Sequence, residues 1–434
     1  MKKTALALTI AATVGVAGVA TADTILYGSA RPSVDYVKYQ GLVFDLNDRL
    51  PPEQQNQELK DLDSGFWDVV DNLSRLGVRG SEDLGGGLSA IYQFEFGVDM
   101  TDGSNFIDNR PKWLGLKGES WGALTLGTQW TPYYNVLGVA DQFNSFKTFG
   151  TFTFNCLPIV EGQLNTDFLS SPNRCGTAYL GPMRYDSSVL YTTPNWNGLS
   201  AQAMLVMNGL QNTSNAYYEM GDRKTSIDAY DLNIKYENGP WFAGVAFDRL
   251  EGDRRSELND ARSLWGVALG YNVDAWGLTF NFENAKTSYI ARANINDPSS
   301  PLTSQDFNTN NYYVVGRYTF GSNTLRLAYG YFNPRDFDQF GGLAIEDTLL
   351  NDLYPDVQPL TASIDGSKVQ NVVAGWQYDF SKRTAVWVEY IGQFSSVDLK
   401  VQQSTPGTPG NLVVSGKFPF PDQNAVSVGM RHDF

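Results

Sequence analysis

From Leu88 onward the chain alternates. Leu88, Ala90, Tyr92, Phe94, Phe96, Val98 and Met100 form one set, and Ser89, Ile91, Gln93, Glu95, Gly97 and Asp99 the other. Side chains of a strand point in turn to its two faces, so this stretch has a wholly apolar face carrying aromatics and a mostly polar one. It is longer than the usual strand of a soluble sandwich. The pattern returns in Val372, Ala374, Trp376, Tyr378 and Phe380. It returns again in Val426, Val428, Met430, His432 and Phe434, set against Ser427, Gly429, Arg431 and Asp433.

Sixteen such segments follow one another. They begin near Thr24, Leu73, Leu88, Asn109, Gly122, Arg184, Leu199, Ser226, Trp241, Arg262, Gly277, Asn310, Asn323, Val369, Thr384 and Asn424. Each has about ten residues, enough to cross a bilayer at a tilt. Connections alternate in length. Short ones fall at Glu82–Gly87, Glu119–Trp121, Asn195–Gly198, Asn238–Pro240, Asn272–Ala275, Gly321–Ser322 and Ser381–Arg383. Long ones fall near 40–72, 101–108, 131–183, 209–225, 251–261, 288–309, 333–368 and 395–423, with prolines such as Pro51, Pro52, Pro406 and Pro409 suited to irregular surface chain. Tight turns at one rim and long loops at the other, with an even strand number, predict an all-β fold: a 16-stranded antiparallel transmembrane β-barrel. Closure leaves no strand edge unpaired, as lipid demands. The long loops are expected to face the cell exterior.

The N-terminus agrees with that destination. Lys2 and Lys3 precede an apolar run from Ala5 to Ala20, then Ala20-Thr21-Ala22. A basic start, a short apolar stretch and a small-x-small site predict a signal peptide over 1–22 and a mature barrel over 23–434. Its removal takes two positive charges from a formal net charge of −15. So acidic a chain does not suit nucleic-acid binding. No later segment is apolar enough for a membrane helix.

Several runs resemble the general diffusion porins of Gram-negative bacteria. Leu26-Tyr27-Gly28 resembles their first strand, and Ser74-Arg75-Leu76-Gly77-Val78-Arg79-Gly80 with Ser81 to Leu88 their second strand and its turn. Trp113 to Gly118, Leu124 to Gly127, Arg184 to Tyr191, Phe380 to Thr384 and Val428 to Phe434 follow in family order. The resemblance covers both ends of the barrel; between about Ser200 and Val369 patterning alone supports it. It implies a passive channel for small hydrophilic solutes and ions across the outer membrane, and a homotrimer. It also implies that barrel-assembly machinery reads Phe434 on the terminal strand. Outer-membrane lipid is the expected surround, and lipopolysaccharide an expected partner of outward basic residues.

The resemblance further implies a constriction. Arg75, Arg110 and Arg184 align with the family's basic wall, and parity agrees: each opposes its strand's lipid-facing residues. A guanidinium on the lipid face would cost about 2–4 kcal/mol at mid-membrane. Arg31, Arg79, Arg317, Arg326, Glu95 and Asp231 are also inward by parity. The third loop, 131–183, is expected to fold into the lumen with Asp141 and Glu161 as its candidate carboxylates. Two departures matter. Ser29 stands where some members have a lysine, which points to mild cation preference. The loop lacks the Pro-Glu-Phe-Gly-Gly signature and instead carries Phe143, Phe146, Phe149, Phe152 and Phe154, read chiefly as packing and otherwise as a stacking track for sugar rings.

Cys156 and Cys175 are the two cysteines. An even pair in an exported chain reads as a disulfide stapling that loop, with two free thiols as the other reading. No cofactor or metal is expected, since zinc needs more ligands than these. His432 is the one histidine and lies on the lipid-facing side, so a barrel enzyme lacks a general base. A substrate-selective channel with a solute site at the constriction is the alternative function; saturable flux separates it from a diffusion pore.

Overall fold

The computed structural model describes residues 22–40, 48, 51–53, 55, 57–101, 106, 110–145, 159–160, 163–164, 182–207, 227–251, 262–292, 302–335, 360–403, 413–419 and 422–434. The first 21 residues, Glu161, Cys156, Cys175 and four of the five loop phenylalanines lie outside this set.

The described chain is a ring of sixteen antiparallel staves. β1 comprises Ala22–Ala30 and Pro32–Gln40, and β2 comprises Phe66–Asp71 and Arg75–Gly85. β3 to β8 are Leu88–Gly97, Lys112–Gly118, Gly122–Trp130, Arg184–Thr192, Leu199–Val206 and Ala229–Asn238. β9 to β12 are Trp241–Leu250, Arg262–Asn272, Trp276–Arg292 and Leu302–Phe320. β13 to β16 are Asn323–Arg335, Leu360–Asp379, Thr384–Gln403 and Asp422–Asp433, the last preceded by Val413–Pro419 on the same edge of β15. Each stave pairs with its sequence neighbours. β16 returns to β1 from Gln40↔Asp422 down to Ser29↔Asp433, which closes the sheet. At the seam's foot, Gly28 and Phe434 exchange backbone hydrogen bonds of 2.9 and 3.1 Å.

The alternation places the faces as expected. On the terminal stave Val428 is 50% exposed and its neighbour Ser427 is 0% exposed. Leu114, Leu126, Ile234, Leu269, Leu327 and Val388 are exposed on the outer wall of their staves. The short turns form one rim. Between β2 and β3 the chain reverses through Gly85, Gly86 and Gly87, all with positive φ (84°, 63° and 77°), a backbone that side chains rarely tolerate.

Two features depart from the sequence reading. The staves are uneven in length. β11, β12, β14 and β15 have 17, 19, 20 and 20 residues, against 7 and 8 in β4 and β7. Twenty residues extend about 65 Å, roughly twice the hydrocarbon thickness. Much of the loops expected at 288–309, 333–368 and 395–423 is therefore strand standing beyond the membrane. Outside hydrocarbon no face has to be apolar, so alternation is not required and the signal fades, as in the polar run Thr303 to Asn311. The loop expected at 40–72 likewise contains a helix, α1 (Gln57–Ser64), and the upper run of β2.

The second departure is a bulge. Ser29 pairs with Arg75, and Pro32 with Asp71, so three residues of β2 oppose two of β1. Leu73 takes the extra turn at φ 64° with its side chain exposed. Bulges re-aim side chains. Here Asn72 is turned inward and buried, where its Nδ2 donates to the Ser33 hydroxyl at 2.8 Å.

Candidate functional site

The third loop leaves β5 at Thr131 and enters the lumen as a short helix, α2 (Pro132–Leu137), followed by a 3-10 turn, Gly138–Ala140. Thr131 caps α2 by accepting from the Tyr134 N–H at 2.9 Å, and Pro132 supplies a preset first residue. The loop's neck is tied. Thr131 donates through its hydroxyl to the Pro182 carbonyl at 2.7 Å, and its N–H to the Met183 carbonyl at 3.0 Å.

The inner wall is shaped to receive this segment. Tyr133, Val136, Leu137, Ala140 and Phe143 are buried against Ala246, Leu264, Ala268, Val315 and Val373 of the wall. Gly244 lies under Val136, Gly266 under Tyr133 and Leu137, and Gly375 under Phe143. A Cβ at Gly244 would stand 2.7 Å from Val136 Cγ1. Larger residues there would hold the loop off the wall.

Wall carboxylates then clamp the loop. Asp231 accepts from the Tyr133 N–H at 2.7 Å, and Glu283 from the Tyr133 hydroxyl at 3.1 Å. Glu389 accepts from two successive backbone N–H groups, Asn144 and Ser145, each at 2.7 Å. Asn233 and Asn281 donate to the Pro132 and Leu137 carbonyls at 2.7 Å. Ser145 ends the described segment in a polar nest: its hydroxyl meets Asn72 Oδ1 at 2.9 Å, Ser427 Oγ at 2.7 Å and Asp35 Oδ2 at 3.4 Å. Fourteen residues, 132–145, thus run from the β7–β10 wall to the β16–β1 seam.

Across the lumen stands the basic wall. Arg110 Nε lies 2.8 Å from Glu95 Oε1, and Arg75 Nε 3.9 Å from Glu95 Oε2. The Tyr27 hydroxyl donates to the same carboxylate at 2.8 Å. Arg184 stacks on Trp130, 4.4 Å from the ring centre, and Trp130 stacks on Tyr134 of the loop at 4.6 Å. Arg184 and Arg110 are in electrostatic reach of each other and of Tyr134. Tyr134 donates to Asp141 Oδ2 at 3.2 Å. Burial, and then the Asp141 carboxylate beside it, hold the Tyr134 phenol well above the usual tyrosine range, so it stays a donor. Arg75 and Arg110 thus gather on Glu95, and Arg184 is linked through Trp130 and Tyr134 to Asp141 of the loop.

The profile of the Gram-negative porin family matches residues 5–393. The chain belongs to that family. An outer membrane porin protein of Bordetella pertussis is 28% identical over 284 residues, 63% of this chain and 67% of that protein. Major outer membrane protein P.IB of Neisseria gonorrhoeae is 25% identical over 395 residues, 89% and 92% of the two chains. Among solved structures, an anion-selective porin from Comamonas acidovorans covers 95% of this chain and 100% of its own, with TM-score 0.60 at 19% identity. OmpT of Vibrio cholerae, in its trimer form, gives 0.53 at 14% identity, with 95% and 100% covered. This porin is a passive diffusion channel of the Gram-negative outer membrane.

Of the residues picked from sequence, Arg75, Arg110 and Arg184 are brought within electrostatic reach of one another, and Asp141 joins them through Tyr134. Glu161 and the cysteine pair lie outside the described residues. Phe143 is 4% exposed and packs on Gly375, which favours packing over a sugar track for this ring. Ser29 accepts from Arg31 Nε at 2.7 Å and donates to Asp433 Oδ1 at 2.5 Å. Sequence reasoning missed the clamps Glu283 and Glu389. It placed Glu95 and Asp231 inward without seeing what they hold. The available signal was inward parity beside small inward residues such as Gly244 and Gly266.

The clamp is testable. Glu389→Ala strands two buried N–H groups, each costing about 1–3 kcal/mol. Single-channel recordings should show added open-channel noise and altered conductance, while Glu389→Gln, which keeps one carbonyl acceptor, stays closer to wild type. Quiet Glu389→Ala traces at wild-type conductance would remove Glu389 from the clamp.

Proposed function

We propose that this porin admits small hydrophilic solutes generally and favours anions. In this reading the eyelet is bounded by Arg75, Arg110 and Arg184 on one side and by Tyr134 and Asp141 on the other. One observation carries it: the carboxylates that lie under the third loop are buried there, while arginines of the facing wall keep part of their side chains in water. Asp35, Asp231, Glu283 and Glu389 are 0–1% exposed, held beneath the third loop. The side chains of Arg75 and Arg431 keep 27% and 24% exposure. Charges facing the water set the field in a narrow low-dielectric passage, and buried ones bonded to a loop are offset locally. This reading departs from the cation preference that Ser29 suggested, and what supports it there is Arg31, whose Nε donates to the Ser29 hydroxyl at 2.7 Å and brings a positive charge to that position. The Comamonas acidovorans porin, named as anion-selective, has the same fold.

The homotrimer reading rests on the outer wall. Along the short-turn rim, Trp196, Tyr236, Trp241, Trp276, Tyr318 and Phe380 project outward on the β6–β15 side, in the manner of an interfacial girdle. On β1–β4 the rings at this level rest on glycines: Phe434 on Gly28, Tyr92 on Gly80 and Trp121 on Gly118. Between them lie Leu26, Leu114 and Leu116. That flatter aliphatic face suits a second copy of the chain. Lipopolysaccharide phosphates suit the outward lysines near the long-loop rim, Lys38, Lys112, Lys286 and Lys368. The signal peptide over 1–22, recognition of Phe434 by assembly machinery, and a Cys156–Cys175 staple complete the reading.

In a salt gradient across a planar bilayer, the reversal potential should have the sign of anion preference. Replacing Arg75, Arg110 and Arg184 together with glutamine should move it toward cations; an unmoved potential would take these residues out of the constriction. Cross-linking in detergent should yield three linked subunits, and Leu114→Arg with Leu116→Arg should reduce them to one. Wild-type protein that never links beyond one chain would end the homotrimer reading. Intact mass should rise by two hydrogen atoms on reduction if Cys156 and Cys175 are joined, and stay constant if they are not.

A further inference from the structure

The arginine wall does not stop at the eyelet. Electrostatic neighbours run from Arg184 to Arg110, Arg75, Arg31, Arg431, Arg326 and Arg317. Two steps in this row are like-charge pairs in direct register. Arg317 is the cross-strand partner of Arg326. Arg31 falls opposite Arg431, between the pairs Ala30↔His432 and Ser33↔Gly429. Like charges directly opposite destabilise a sheet, so their presence twice on one wall calls for a compensating group. Asp433 meets part of the need, 3.9 Å from Arg31 and 3.3 Å from Arg431. Arg317 and Arg326 have no such bridge among the described residues. Arg317 donates to Val273 O and Thr319 Oγ1 at 3.1 and 3.2 Å, and Arg326 to Gln377 Oε1 at 3.2 Å, all uncharged oxygens. The carboxylates in electrostatic reach of Arg326 are Glu389 and Asp379, and both are engaged elsewhere: Glu389 accepts from the Asn144 and Ser145 N–H groups, and Asp379 from Gln377 Nε2 at 2.6 Å. A guanidinium carries five N–H donors in a planar fork, so most of this donor set is available to a solute.

Position gives the pairs a role of their own. Arg317 and Arg326 flank the short turn Gly321–Ser322, and Arg431 lies near the chain's last turn-side residues. Together with Arg31, two residues on from the Ser29–Arg75 pair, they extend the basic wall from the short-turn rim, where Arg317 bonds Val273 O, up to the eyelet. We propose that Arg317, Arg326, Arg31 and Arg431 form a second station on the permeation path, one that holds a solute bearing two or more oxyanion charges, of the polycarboxylate or polyphosphate class. The station rests on the anion-favouring reading above and adds to it: the eyelet sets the sign, and the station retains multivalent anions long enough to make their passage saturable. Chloride, with one charge and no oxygens, passes without being held.

Titration of the chloride current with citrate or with inorganic pyrophosphate tests this, each added to one side of the bilayer at a time. Wild-type channels should show saturable block, stronger from the short-turn side. Arg317→Gln with Arg326→Gln should raise the half-blocking concentration about tenfold or more, and Arg317→Lys with Arg326→Lys should recover most of the block through charge alone. Block by citrate only, or by pyrophosphate only, assigns the station to that class. If the double glutamine variant does not assemble, Arg326→Gln alone is read in the same way. Wild-type current that falls without saturation, or equal block in wild type and the glutamine variant, overturns the station while the reversal potential still reports anion preference. A cation-selective wild-type reversal potential overturns the reading beneath it instead.

Discussion

Backbone amides and carbonyls find no water in hydrocarbon, and every other feature of this molecule is built on how that is met. Sixteen staves pair around a full turn, and β16 meets β1 residue by residue from Gln40↔Asp422 to the foot of the seam. Once the ladder is closed, the two-residue period sends alternate side chains into lipid and into the lumen without further instruction. Outer residues need only be apolar. Inner ones are free to be charged, small or aromatic as passage requires.

That freedom is used to seat a loop. The inner wall under α2 is neither uniformly polar nor uniformly small. It has glycine sockets for Val136, Tyr133 and Phe143, an apolar floor, and carboxylates aimed at backbone N–H groups. Accepting two neighbouring N–H groups fixes Glu389 more firmly than an ion pair in open water would. The same act withdraws its charge from the passage. Loop anchoring and the proposed anion preference would thus be one arrangement: the acids that hold the loop lie behind it, while Arg75 and Arg431 keep part of their side chains exposed.

How much of this could be read from the letters depends on where lipid does the reading. Within the hydrocarbon, alternation and glycine-rich turns gave all sixteen staves and the rims. Parity failed for two arginines: Leu114 and Leu116, not Trp113, face outward on β4, so Arg110 shares the outward parity, and a bulge at Ser187 breaks the period between Arg184 and Val189, leaving Tyr185 inward on Asp248. Beyond the hydrocarbon the constraint lapses, so strand such as Leu302 to Asn310 looked like loop. Parity states that Glu283 and Glu389 point inward. It says nothing of what comes to meet them, because Tyr133 and Asn144 lie 150 and 245 residues away in sequence. The bulge at Leu73 was hidden for a related reason: one inserted residue leaves composition and period nearly untouched, and shows only as a shift of register against β1.

The seam that closes the ring joins Ser29 to Asp433, positions 404 apart. A ribosome makes the first of these 404 residues before the second. Throughout the interval β1 has an open edge and no mate on that side, and such an edge readily recruits strangers. Pairings of this separation are also the slowest for a chain to find. The geometry of the finished wall therefore imposes a waiting time on the unfinished one, during which the polypeptide must be kept apart from its own copies.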